Sequence, residues 1–159
     1  MSRIEIKCAI EKYFCEQNWR YNFEENNFVF MTVFDIELEN IKYVQYSIFV
    51  YDDHATSIMH FPLKVGAESR IAVSEFINRV NFVFDIGCWE FNPDSYEIRF
   101  RTNAFFQEIT SGTNIAIARL IHLPYQMLNE IGNYLVKVIS GQLGAQEAVE
   151  EILKNRTSL

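Results

Sequence analysis

Ser95-Tyr96-Glu97-Ile98-Arg99-Phe100-Arg101-Thr102-Asn103 is the stretch that decides the fold. Tyr96, Ile98 and Phe100 alternate with Glu97, Arg99 and Arg101. This is the two-residue period of a strand with one face on a core and the other in water. Such a split belongs to antiparallel sheets, because parallel strands are covered on both faces and read as continuous apolar runs. Asn92-Pro93-Asp94-Ser95, just upstream, are turn formers. They join this strand to Phe82–Phe91, which also reads as strand, with Gly87 as a candidate bulge.

The same period recurs towards the N-terminus. Between residues 28 and 38, Phe28, Phe30, Phe34, Ile36 and Leu38 share one parity and Val29, Met31 and Val33 the other. Residues 42–52 and 55–65 read as two more strands, and Tyr21–Glu25 as a short one. Turns fall at Asn40 and at Asp52-Asp53-His54. Connections this short cannot hold a parallel crossover, so these strands form an antiparallel meander.

Four stretches take the helical period instead. Ser2 and Glu5 make a capping box, followed by Ile6, Ala9, Ile10, Tyr13 and Phe14, with an end near Asn18. Ala67–Asn81 carries Ile71, Ser74, Phe76, Ile77 and Val80. From Ser111-Gly112-Thr113 a long stripe runs through Ile117, Ile121, Leu128, Ile131, Leu135 and Val138, with Pro124 predicting a kink or split and Gly141 the end. A short acidic helix, Ala145–Asn155, closes the order, and the last four residues are expected to fray. Strand runs interrupted by helices indicate an α+β class, with an antiparallel or mixed sheet packed against helices. No linker or repeat appears, so residues 1–159 read as a single domain.

Composition narrows the function. The net charge is −7, from 21 acidic and 14 basic side chains. That field repels phosphate backbones and anionic headgroups, so neither nucleic acid nor a membrane is an expected partner. The N-terminus lacks the apolar run of a signal peptide, and the three cysteines are odd in number without CxxC spacing; both point to the cytoplasm. The excess of aromatics, 14 Phe, 8 Tyr and 2 Trp, suits a sheet-on-helix core and also contact surfaces.

No motif carries chemistry. His54 reads as a turn histidine, His60 as a strand histidine and His122 as a partly buried helix residue. They lack the three or four ligands at metal spacing, so no metal and no cofactor is expected. Cys8 and Cys15 share a helical face, read as core or half-core packing. Asp52-Asp53 and Glu24-Glu25 read as solvated loop charge. No GxxxxGK[ST] or GxGxxG occurs. Arg99 and Arg101 have two readings: cross-strand ion pairing on a wet face, or an anchor for an acidic partner.

Phe76-Ile77-Asn78-Arg79-Val80-Asn81, then Ile86-Gly87-Cys88-Trp89-Glu90-Phe91, the turn at Asn92–Ser95, Ile98-Arg99-Phe100-Arg101 and Val138-Ile139-Ser140-Gly141 follow one another in an order that resembles the YbjN family of bacterial proteins. The resemblance implies a type III secretion chaperone-like fold in the bacterial or cyanobacterial cytoplasm, and a chaperone-like or regulatory role. It brings no catalytic residue with it. The expected function is therefore a non-enzymatic, protein-binding domain that forms a homodimer. The alternative is a small-molecule sensor or enzyme with a pocket between helices and sheet. If one sheet face takes the helices, Val29, Met31 and Val33 fall on the other. That face is covered either by a second copy or by the chain's own helices between Ile117 and Ile152. Val29, Met31, Val33, Arg99 and Arg101 are thus the candidate partner contacts.

Overall fold

The computed structural model describes residues 1–38, 41–106 and 113–157. Ten elements follow one another: α1 (Arg3–Glu16), β1 (Asn22–Glu24), β2 (Val29–Leu38), β3 (Ile41–Val50), β4 (His54–Phe61), α2 (Arg70–Val83), β5 (Cys88–Asn92), β6 (Glu97–Phe105), α3 (Thr113–Ile139) and α4 (Ala145–Thr157). The strands form one sheet in the order β1-β2-β3-β4-β6-β5, and every neighbouring pair is antiparallel. The class is α+β, and of the two sheet types the antiparallel one is realised. The turn at Asn40, the lead-in at Ser111-Gly112, and Ser158 and Leu159 lie outside the described residues.

The register sorts the side chains onto two faces. Thr32, Tyr46, Met59, Phe100 and Trp89 line up across five strands, and all are buried. Ile6, Ile10, Phe14, Ile117, Leu120 and Ile121 pack with Phe30, Ile48, Val50, Ala55 and Ala104 on this face. Residues of α2, α3 and α4 pack with Tyr46, Met59, Phe61, Trp89, Ile98 and Phe100, again on this face. All four helices therefore cover the same side. The C-terminal helices do not cover the face of Met31 and Val33, because their apolar stripes pack on the side of the sheet that α1 and α2 also cover.

Local chemistry explains the boundaries. The Glu5 N–H donates to Ser2 Oγ at 3.4 Å and the Ser2 N–H donates to the Glu5 carboxylate at 2.7 Å, closing the capping box of α1. In β6, Ile98 and Phe100 are buried, while Glu97 and Arg99 are exposed. Tyr96 precedes the strand at φ 59° and is half-buried. The Asn92 side chain accepts from the N–H groups of Asp94 and Ser95, which makes the predicted turn.

Several expectations give way. Helix α2 runs on to Val83, so Phe82 is helical and almost fully exposed, and β5 starts only at Cys88. On α2 the buried positions are Val73, Phe76, Ile77 and Val80; Ile71 and Ser74 face solvent. Gly87 lies before β5 at φ +72° rather than as a bulge within a strand. β4 stops at Phe61, short of Val65. Helix α3 is not split at Pro124; it passes through the proline, whose ring is buried. Cys8 and Cys15 are exposed, because Ile6, Ile10 and Phe14 take the buried stripe of α1. Arg156 does not fray: it pairs with Glu130 at 2.7 Å and lies over the Phe84 ring at 4.3 Å.

Candidate functional site

The helix-free face of the sheet is the first candidate. Its central row reads Asn22, Met31, Ser47, Ile58, Arg101, Cys88 across all six strands. The adjacent row reads Val33, Gln45, His60, Arg99, Glu90. The five residues singled out from the sequence thus share one face, with β2 and β6 three strand spacings apart, about 14 Å. No helix among the described residues packs on it. Val33 and Tyr43 are each 59% exposed and Phe105 68%, whereas Val29 is only 4% exposed and offers a partner little area. Met31 and Val33 also border a groove of about 620 Å³ that reaches Asn22, Gln45 and Arg20.

Charge on this face is concentrated at Glu90. Arg99 Nε donates to one of its oxygens at 2.6 Å and Arg101 Nε to the other at 2.7 Å. Burial works to raise the Glu90 pKa, but the two guanidinium hydrogen bonds outweigh it and hold the carboxyl below its ordinary value. Geometrically the two arginines are paired across strands, and the trio leaves one net positive charge. At the far end of the face, Tyr51, His54 and Phe105 stack with centroid distances of 4.4 and 5.4 Å, and His54 Nδ1 meets Asp53 Oδ1 at 2.7 Å.

A second site lies at the edge of β2, on the helix side. β1 pairs only with Val29–Met31, so β2 has no outer neighbour from Thr32 onward among the described residues. Here a cleft of about 300 Å³ is lined by Trp19, Phe34, Asp35, Ile121, His122 and Tyr125. Asn18, at φ 55°, turns the chain out of α1 and delivers Trp19. The Trp19 ring meets Phe34 edge-on at 4.9 Å and His122 at 5.6 Å. The Tyr13 hydroxyl and His122 Nε2 are 3.0 Å apart, tying α1 to α3. His122 is exposed, contrary to the partly buried position expected of it. The sequence reading missed this cleft, since its walls come from segments a hundred residues apart. Only the bunched aromatics around Trp19 and the pair His122 and Tyr125 one turn apart hinted at it.

Among the described residues no three His, Cys, Asp or Glu side chains are grouped as a metal would need. His60 Nε2 contacts Ser47 Oγ at 3.5 Å, far from any second histidine. No helix of the described residues is long and apolar enough to cross a membrane. Set against family models, curated proteins and solved structures, the chain matches none of them.

Proposed function

We propose that the chain is a non-enzymatic protein-binding domain and that it pairs with a second copy of itself through the helix-free face of its sheet. The placement of all four helices on one side supports this reading. It leaves Met31, Val33, Tyr43, Phe49, Ile58 and Phe105 on a face that no helix among the described residues covers. Apolar patches of several hundred Å² are uncommon on monomers.

Size and pattern favour a second copy as the occupant. Five strand spacings by eight residues give a face of about 24 by 26 Å. That is about 600 Å² in projection, near the ~800 Å² that each partner contributes to a stable interface. Apolar Met31, Val33, Phe49 and Ile58 are interleaved there with polar Gln45, Ser47, Thr56 and His60, a mixture that a non-obligate interface tolerates. A two-fold axis along the strands between β3 and β4 would set β2 of one copy over β6 of the other. Met31 and Val33 would then meet the hydrocarbon stems of Arg99 and Arg101, and the acidic end of β2 would lie near the arginines. The free edge of β2 would stay open to an extended client segment by strand addition, which is where the chaperone-like or regulatory role implied by the YbjN resemblance would act.

Light scattering at micromolar concentration tests this. A dimer mass is expected for the native chain, and a folded monomer for Val33→Asp combined with Ile58→Glu. A native monomer at every concentration would reject the pairing. A dimer that survives both substitutions would reject this surface.

A further inference from the structure

The free edge of β2 is left unused by the self-pairing, and its chemistry narrows what can pair with it. The Val50 N–H donates to the Phe28 carbonyl at 2.9 Å, so antiparallel alternation turns the main-chain groups of Phe30, Thr32 and Phe34 towards β3. Those of Val29 and Met31 face β1. Those of Val33 and Asp35 face outward past the last rung of β1, with no strand beside them among the described residues. Such a row of N–H and C=O groups is a template for an added strand.

Two hollows flank this edge, one on each side of the sheet. On the helix side lies the cleft of about 300 Å³ with Trp19, Phe34, His122 and Tyr125. On the other side lies the groove of about 620 Å³ that Met31, Val33 and Gln45 border and Arg20 ends. Successive side chains of a strand point to opposite faces, so a strand laid along Val33 and Asp35 fills both hollows. Charge then selects the occupant. Val33, Asp35 and Glu37 are exposed while Ile36 and Leu38 are buried, which turns both carboxylates to the helix-free face. Neither carboxylate has an ion-pair or hydrogen-bond partner among the described residues. Edge-to-edge pairing of two copies would set these acids near one another, which disfavours it. A second copy seated on the helix-free face would not cancel them either. Its Arg99, Arg101 and Glu90 sum to one positive charge, against two negative ones.

We infer that the β2 edge takes an extended basic peptide, antiparallel like every other ladder of this sheet. An aromatic residue opposite Phe34 fills the cleft, where edge-to-face ring contacts are already the rule. A lysine or arginine opposite Asp35 meets its carboxylate across the strands and lies within reach of Glu37. Because Arg20 stands at the Val33 end, the residue opposite Val33 is neutral. The inference rests on the strand-addition reading of this edge and names the segment that it accepts.

The probe is the peptide acetyl-Lys-Val-Lys-Phe-Thr-Ser-amide, added to the full-length chain labelled with nitrogen-15. It is expected to slow hydrogen exchange at the Val33 and Asp35 amides and to shift the Trp19 indole signal, leaving buried Trp89 unchanged. A counterpart with glutamine for both lysines is expected to bind about tenfold more weakly. Asp35→Asn with Glu37→Gln should erase that tenfold difference. Methylating the backbone nitrogens of the second lysine and the threonine, which face Asp35 and Val33, should abolish the protection. If the lysine and glutamine peptides protect alike, the edge takes extended segments regardless of charge, and this inference falls while strand addition stands. If neither peptide protects the two amides at millimolar concentration, both fall. A lysine preference that survives the double substitution, or binding that survives the methylation, would also overturn the inference.

Discussion

Replacing Gly87 with alanine should cost about 2–5 kcal/mol of stability, in two separable parts. The backbone there is left-handed, φ +72°, which a side chain tolerates at about 1–2 kcal/mol. The added methyl would also overlap the Phe100 ring at Cζ and approach the Arg101 carbonyl to 3.1 Å. Phe100 cannot swing aside. It is 1% exposed, stands edge-on to Trp89 at 5.3 Å, and has Met59 opposite it on β4. Overpacking a fixed ring of this kind costs about 1–3 kcal/mol more. Phe100→Leu withdraws the ring edge, so in that background Gly87→Ala should cost only the backbone part. The difference between backgrounds, about 1–3 kcal/mol, is the coupling energy of a double-mutant cycle. Urea denaturation of the four proteins, with equal m-values, reads it directly. A loss below about 1 kcal/mol, or the same loss in both backgrounds, would refute the reasoning.

Ile98→Ala should lose about 2–5 kcal/mol in the same denaturation assay, and Arg99→Ala about 1 kcal/mol or less; similar losses would contradict the two faces of β6. Glu90→Gln should cost about 1 kcal/mol at pH 7. Because the folded carboxyl titrates below its ordinary value of 4.5, this contribution is whole above that pH and disappears as acid protonates the folded group. Denaturation of both proteins from pH 7 to pH 3 checks it, and an undiminished gap at pH 3 would count against the ion trio. Ser2→Ala should lower stability by about 1 kcal/mol through the opened capping box, and thermal melting showing no change would argue that the cap is idle.

Legibility in the sequence followed the range of the interactions involved. The capping box at Ser2 and Glu5, the meander and the alternation of β6 from Glu97 to Phe100 are local patterns and appear as read, whereas Tyr96 lies before the strand at φ 59° and is half-buried. The helix-free face was foreseeable because β2 is apolar on both parities, and side-chain alternation leaves no other place for Met31 and Val33. The end of α2 was not legible. Phe82-Val83-Phe84 has strand-like composition, but Phe84 is drawn into the core under Arg156, and the Asn81 side chain clamps the helix to β5 by donating to the Trp89 carbonyl at 2.8 Å and accepting from its N–H at 2.9 Å. The exposure of Cys8 and Cys15 follows from the stripe Ile6, Ile10 and Phe14 that the sequence shows: seven-residue spacing puts the two cysteines on one face of α1 but does not say that it is the buried one. The aromatic cleft was out of reach for a different reason. Tyr13 and His122 are 109 residues apart, and only the closed sheet brings their helices together.

The ladder between β4 and β6 is unlike every other in the sheet. The remaining pairs, β1 with β2, β2 with β3, β3 with β4, and β5 with β6, join neighbours in sequence across short connections. Closing such hairpins sacrifices little chain entropy, so each can form on its own account. The β4–β6 ladder must instead wait until α2 has carried the chain out and back. The molecule is thus assembled from two zippers and one seam. Helix α3 crosses that seam, touching β2, β4 and β6, and works as a splint laid over a join. Loosening the splint would let the halves part along one line while each kept its own hairpins, a route to partial opening rather than wholesale collapse.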